Sequence, residues 1–206
     1  ELIQAGKLGA LRGAWSQLTW WRPPSYYECD WKGSWETEGG GVVIDQAIHS
    51  IDLVRWLMDS PVHAVQGHIA RRILTRIEVE DEADAAIEFE SGAVYAFFAC
   101  NYYTRNSPIR VEIDGEKGSV LLEGETVTVS LQGQEPYRIA PSCDPHTGEN
   151  YWGNNHLAQI REFYRCIREN RQPPVTPEDA TATLEVVLAL YRSAKAGTRQ
   201  DLPLPE

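Results

Sequence analysis

Four side chains capable of chemistry recur at helical spacing in the segment 41–58. They are Asp45, His49, Asp52 and Trp56. At helical geometry they share an arc of about 60°, away from the centre of the apolar face, with Gly41 at one end to allow close approach. Histidine can accept a proton from an alcohol near neutral pH, and a carboxylate one turn away can hydrogen-bond the imidazole or a substrate hydroxyl. The stripe therefore predicts the wall of a cleft that supports proton transfer.

Spacing alone is also compatible with different roles for these residues. Asp45 could cap the helix, Asp52 could pair with Arg55, and His49 could be a surface or core residue. Asp45, His49 and Asp52 also match a carboxylate–histidine–carboxylate metal site, which would indicate a metal-dependent hydrolase or isomerase. A non-catalytic module for sugar binding or oligomerisation is the remaining alternative.

The segments around this helix supply the candidates for substrate binding. The loop 22–38 is long and rich in proline, glycine and polar residues, and long ordered loops are often functional. Flat aromatic rings can stack on the C–H faces of a sugar, and amide and imidazole groups can bind its hydroxyls. The substrate-binding candidates are Arg22, Tyr26, Tyr27 and Trp31 of the loop, with Asn155 and His156 near the start of the penultimate helix.

The rest of the chain predicts the scaffold that positions these residues. Period-two runs with short turns predict strands at 11–21, 62–72, 83–90, 93–102, 109–113, 119–122, 126–131 and 136–140. The apolar residues of 41–58, of 157–167 and of the helix capped by Thr176 recur at helical spacing. The predicted fold class is α+β: one domain, 1–206, with a large, open, mostly antiparallel β-sheet and helices packed on one face.

Composition narrows the classes of partner. A formal net charge of −11 over 206 residues would repel phosphate backbones, so nucleic acid is not an expected partner. No apolar run reaches the roughly 20 residues of a membrane span, so no membrane partner is expected. Four cysteines without a CxxC pair predict reduced thiols and a cytoplasmic protein.

Asp45, His49 and Asp52 also belong to a longer sequence motif. The segments 31–35 (WKGSW) and 38–41 (EGGG), followed by 45–52 (DQAIHSID), closely resemble the GGG-x3-D-x3-H-x2-D signature of the Gfo/Idh/MocA oxidoreductases, the glucose–fructose oxidoreductase and inositol dehydrogenase family. Three further segments are similar to the family pattern: 8–11 (LGAL), 113–118 (IDGEKG) and 174–180 (PVTPEDA) with 191–194 (YRSA).

The resemblance implies a sugar or polyol dehydrogenase. In this family, a Rossmann domain binds NAD or NADP and supplies a lysine from an E-K-P segment. A second domain, with a sheet like that of dihydrodipicolinate reductase, binds the substrate and frequently forms homo-oligomers through its open sheet face. The implied catalytic residues here are His49 as general base and Asp45 as the group that positions the hydroxyl and the imidazole. Asp52 is implied to give structural support.

The chain departs from the full family pattern in one respect. It contains neither G-x-G-x-x-G nor E-K-P, and the triple glycine 39–41 does not close a β-α-β dinucleotide unit. No cofactor-binding residue can therefore be assigned, and no metal ligand is assigned. We expect a Rossmann domain to precede Glu1 in the full-length protein, and the chain alone to be inactive.

Overall fold

Nine strands form one open sheet in the computed structural model, which describes residues 1–139 and 156–205. Their order across the sheet is β8-β7-β6-β5-β1-β4-β3-β2-β9. The strands are β1 Leu11–Thr19, β2 Val62–Ala70, β3 Glu82–Phe89, β4 Val94–Cys100, β5 Arg110–Gly115, β6 Gly118–Glu123, β7 Thr126–Leu131, β8 Tyr137–Ile139 and β9 Gln200–Asp201. The predicted strands are all present, with ends that differ by up to two residues, and only the short β9 was not predicted.

Pairing is antiparallel everywhere except at the centre of the sheet. Strands β1 and β4 are parallel, with Trp15 opposite Ala96, and every other neighbouring pair is antiparallel. The prediction of a mostly antiparallel open sheet is confirmed. The parallel pair matters for function, because the carboxyl ends of two central strands meet at the same edge.

Two helices cover one face of this sheet. Helix α1, Ile48–Met58, follows a π-helical turn at Val43–Ala47, and helix α3 spans Pro177–Ala196. Their apolar stripes meet each other and the sheet, and Ile51 and Leu190 are fully buried there. Burying side chains of this size contributes roughly 1.5–3 kcal/mol each. The side chain of Thr176 caps α3 by accepting the amide of Asp179, as predicted.

Helix α2, His156–Glu169, departs from the expected packing. The apolar side chains that share its face are exposed rather than packed on the sheet: Leu157, Ile160, Tyr164 and Ile167. Periodicity identifies the apolar face of a helix but not the surface that it meets, which is why the prediction was wrong for this helix. Among the described residues, no helix combines the length and apolar character needed to cross a bilayer.

The loop 22–38 starts at the edge where β1 and β4 end together. The amide of Trp20 donates to the carbonyl of Cys100 at 2.9 Å, and the amide of Arg22 donates to the carbonyl of Asn101 at 2.9 Å. The loop is therefore anchored to the centre of the sheet. It begins with a short 3-10 helix at Pro24–Tyr27 and leads into the π-helical turn that carries Asp45.

Candidate active site

A buried carboxylate holds the beginning of the helical segment that carries Asp45. Glu80 is 2% exposed and accepts the amide of Gly41 at 2.9 Å and the amide of Val43 at 3.1 Å. The hydroxyl of Tyr191 donates to the same carboxylate at 2.9 Å. Burial raises the pKa of Glu80, while these hydrogen bonds favour its ionised form. Glu80 thus satisfies the free amides at the start of the helix and ties it to α3.

Gly41 has a different role from the one expected. A Cβ atom built on this glycine would lie 2.0 Å from the carbonyl oxygen of Glu80, and Gly41 is buried. The close approach that the glycine permits is therefore to the protein's own backbone and not to a ligand in a cleft.

Asp45 lies within a cluster of hydrogen-bond donors. Its Oδ2 atom accepts the hydroxyl of Tyr26 at 2.8 Å and the ammonium of Lys32 at 2.9 Å. The side-chain amide of Gln46 also donates to this oxygen. The amide of Asn101 donates in turn to the carbonyl oxygen of Gln46 at 2.8 Å. Asp45 is half-buried, so its carboxylate is oriented by the fold and still reaches the surface.

His49 lies in the first turn of α1 and is exposed. Within the described residues no hydrogen bond joins its imidazole to Asp45, whose Oδ2 is directed toward Tyr26 and Lys32 instead. The π-helical turn alters the angular spacing assumed from the sequence. Among the described residues, the geometry therefore does not show the contact between Asp45 and the imidazole that the sequence left open.

The remaining members of the predicted stripe serve other purposes. Asp52 accepts the hydroxyl of Thr183 at 2.5 Å and lies 3.6 Å from Arg55, so the pair with Arg55, one of the alternatives that the sequence left open, is present. The guanidinium of Arg55 also pairs with Asp179, so these contacts join α1 to α3. Trp56 is exposed in an open groove of about 550 Å³ that contains none of the residues around Asp45.

The geometry gives no support to the metal-site alternative. In residues 1–139 and 156–205, no group of three or more His, Cys, Asp or Glu side chains is arranged to hold a metal ion. Asp52 is engaged with α3, whereas Asp45 is turned toward the loop 22–38. The three residues of the proposed triad therefore do not converge.

Of the four candidates of the loop, Tyr26 contacts Asp45 directly, and the other three are connected to it through Tyr26 or Lys32. The guanidinium of Arg22 stacks on Tyr26 at 5.1 Å from the ring centroid, and Tyr26 contacts the ring of Tyr27 edge to face. The hydroxyl of Tyr27 accepts the amide of Asn101 at 3.2 Å, and burial raises the pKa of Tyr27 to about 12. The ring of Trp31 is 52% exposed, which leaves an apolar face available at the edge of the site.

The candidates at the penultimate helix are less closely connected. Asn155 lies outside the described residues. His156 is exposed at the first position of α2, and in the part of the chain that the structure describes no hydrogen bond or ion pair joins it to the group around Asp45.

Five residues of the site were not predicted from the sequence: Lys32, Gln46, Glu80, Asn101 and Tyr191. Lys32 lies within the WKGSW segment and Gln46 is next to Asp45, so their positions in the motif could have identified them as site residues. Glu80 and Tyr191 offered none, because one glutamate within the acidic segment 78–82 and a tyrosine in a helical stripe have no distinctive pattern.

The two helix starts packed against the sheet, at Gly41–Val43 and at Thr176, present no cradle for the diphosphate of a dinucleotide. Such a diphosphate binds to free amides at a helix N-terminus that follows a glycine-rich turn. Here the amides of Gly41 and Val43 are already occupied by Glu80, and the start of α3 is capped by Thr176. The residues at these two helix starts therefore do not fit the phosphate end of NAD or NADP.

Comparison with known proteins identifies similar domains. The family model described as the C-terminal alpha/beta domain of an oxidoreductase family matches residues 1–202. The scyllo-inositol 2-dehydrogenase (NAD(+)) of Bacillus subtilis is 32% identical over 166 residues, which are 77% of this chain and 46% of that protein. The 1,5-anhydro-D-fructose reductase of Ensifer adhaerens is 27% identical over 84% of this chain and 50% of that protein. The chain spans about half the length of these relatives.

Solved structures show the same architecture. The WlbA dehydrogenase from Bordetella pertussis, in complex with NADH and UDP-GlcNAcA, is 27% identical with a TM-score of 0.82. The alignment covers 99% of this chain and 58% of that one. The aldose-aldose oxidoreductase from Caulobacter crescentus, complexed with glycerol, is 27% identical with a TM-score of 0.81, over 98% of this chain and 58% of that one.

Proposed function

This chain belongs to the Gfo/Idh/MocA oxidoreductase family as its C-terminal alpha/beta domain, and on that basis we propose that it is the substrate-binding and catalytic half of an NAD(P)-dependent dehydrogenase. The proposed substrate is a sugar, a polyol or a sugar derivative that is oxidised at a carbinol hydroxyl. The dinucleotide belongs, in this proposal, to a Rossmann domain elsewhere in the full-length protein. The activity thus requires both domains.

One observation carries this proposal: a carboxylate fixed by three donors lies one helical turn before an exposed imidazole. Asp45 Oδ2 is occupied by its donors, so a substrate hydroxyl can donate to the other oxygen. His49 is exposed, so its imidazole is accessible to the same hydroxyl. Trp31 offers a flat apolar surface for the C–H face of a sugar ring.

The proposed mechanism assigns each residue a defined task. Asp45 orients the carbinol hydroxyl, and His49 removes its proton while the carbinol carbon is oxidised. Tyr26 helps to fix Asp45 by donating to it, and Arg22 stacks on Tyr26. Tyr27, Asn155 and His156 remain proposed substrate contacts. Nicotinamide, when bound by the other domain, supplies the hydride acceptor.

A substrate screen tests the proposal directly. The names of the relatives suggest a panel of scyllo-inositol, myo-inositol, 1,5-anhydro sugars and glucosides. We expect the full-length protein to reduce NAD⁺ or NADP⁺ with at least one member, followed by absorbance at the wavelength of the reduced cofactor. If a preparation that binds either dinucleotide oxidises none of these compounds, the proposed substrate class is wrong.

The open face of the sheet leads to a prediction about assembly. Trp15, Ala86 and Ala96 alternate with buried neighbours and lie side by side on the face opposite α1 and α3. We propose that this face meets a second copy of the chain, because small and aromatic residues pack well against a flat partner. Multi-angle light scattering should show an oligomer at micromolar concentration, and Ala96→Glu should shift it toward monomer.

The matched control for this variant is Ala180→Glu, which places the same charge on an exposed position of α3. It should leave the oligomer intact. A wild-type protein that is monomeric at micromolar concentration would contradict the prediction, and equal dissociation by both variants would mean that the sheet face is not the interface.

A further inference from the structure

Lys32 is a half-buried cation beside Asp45. Its side chain is 9% exposed, and its ammonium lies 2.9 Å from Asp45 Oδ2 and 3.2 Å from Glu38 Oε1. The same nitrogen lies 4.3 Å from the ring centroid of Tyr26 and 4.5 Å from that of Trp31. Two carboxylates and two aromatic rings therefore surround the ammonium, and cations are attracted to both kinds of group. Little of the ammonium is left to contact a substrate.

The charge of Lys32 persists over the working pH range. Burial by itself lowers the pKa of this lysine, but hydrogen bonds to Tyr26, Asp45 and Glu38 outweigh burial and hold the pKa above its ordinary value. Glu38 is itself fixed, because it accepts the amide of Gly33 at 2.6 Å. The ammonium is thus held in one place between two carboxyl groups.

As a result, the two carboxylate oxygens of Asp45 differ in their hydrogen bonding. Oδ2 accepts Lys32, Tyr26 and Gln46, whereas no residue of 1–139 or 156–205 is seen to donate to Oδ1. We propose that Lys32 is a positioning residue of the reaction, which holds Oδ2 so that Oδ1 faces the substrate hydroxyl. This inference rests on the proposed function, since it requires Asp45 to contact the substrate.

A double-mutant cycle in the full-length protein tests the inference. Lys32→Met should lower kcat/KM by about 10-fold to 100-fold when Asp45 is present, measured with the panel member that is oxidised fastest. In an Asp45→Asn background the same change should cost less than about 3-fold, because the group that Lys32 orients is already altered. Lys32→Arg should restore most of the loss, since it keeps the charge.

The outcomes separate this inference from the proposed function. Losses that add in the double variant would overturn the inference, because they would assign Lys32 a general structural role. If Asp45→Asn alone retains full activity, the proposed role of Asp45 is wrong instead.

A second measurement needs no substrate. Limited acetylation of the chain, read by mass spectrometry, should modify Lys32 several-fold more slowly than the exposed Lys7, and Asp45→Asn should speed the modification of Lys32. If Lys32 reacts as fast as Lys7, the ion pair that carries the inference is absent.

Discussion

Replacing His49 with glutamine should lower kcat of the full-length protein by about 10²–10⁴-fold, the contribution typical of a positioned general base. The imidazole is exposed four residues after Asp45, and glutamine keeps polarity and approximate size without accepting a proton at working pH. KM should change little, because the loss concerns the transition state more than substrate binding. Steady-state rates of nicotinamide reduction at saturating cofactor measure both quantities.

His63→Gln provides the matched control for this variant. His63 lies in β2, is exposed, and belongs to a different part of the molecule, so the same substitution there should leave kcat unchanged. Full activity of His49→Gln would favour the non-catalytic alternative, a module for sugar binding or oligomerisation. Loss of activity in both variants would point to a general effect on folding.

Much of the fold was predictable because its determinants are local. Strand β6, Gly118–Glu123, and strand β7, Thr126–Leu131, follow from period-two patterns and turn residues that lie next to each other in sequence. The cap by Thr176 is equally local. The two-residue strand β9 was missed because it is too short to show a period, and its pairing with β2 is a tertiary contact.

The site was predictable only in part. Asp45 and His49 stand out by spacing and by motif, but the partners that fix Asp45 depend on how the chain folds back. Glu80 and Gly41, which are hydrogen-bonded, lie 39 residues apart in sequence, and Tyr191 and Glu80 lie 111 residues apart. The π-helical turn could not be predicted either, because helical spacing assumes the same rotation of about 100° per residue along the whole segment 41–58.

Gly41→Ala should destabilise the chain by about 3 kcal/mol or more, because overpacking a core typically costs about 1–3 kcal/mol and this contact is with backbone, which cannot move aside as a side chain can. The added methyl would lie 2.0 Å from the carbonyl oxygen of Glu80 and 3.0 Å from a methyl group of Val79. To relieve this clash, the backbone at Glu80 and the start of the helical segment at Gly41 must move apart. That movement breaks the amide hydrogen bonds that Glu80 accepts. Urea unfolding followed by tryptophan fluorescence measures the change.

Gly39→Ala makes the comparison informative, because it introduces the same methyl two residues earlier. No heavy atom beyond the two neighbouring residues lies within 4 Å of the added methyl, so the cost there comes from a left-handed backbone with φ of 80° and should be about 1–2 kcal/mol. A Gly41→Ala loss no greater than that of Gly39→Ala would mean that Glu80 does not pack rigidly against the helix. A clearly larger loss for Gly41→Ala would show that position 41 must be glycine. Only glycine lets the backbone of Glu80 come close enough for its carboxylate to bind the amides of Gly41 and Val43, which fixes the π-helical turn that carries Asp45.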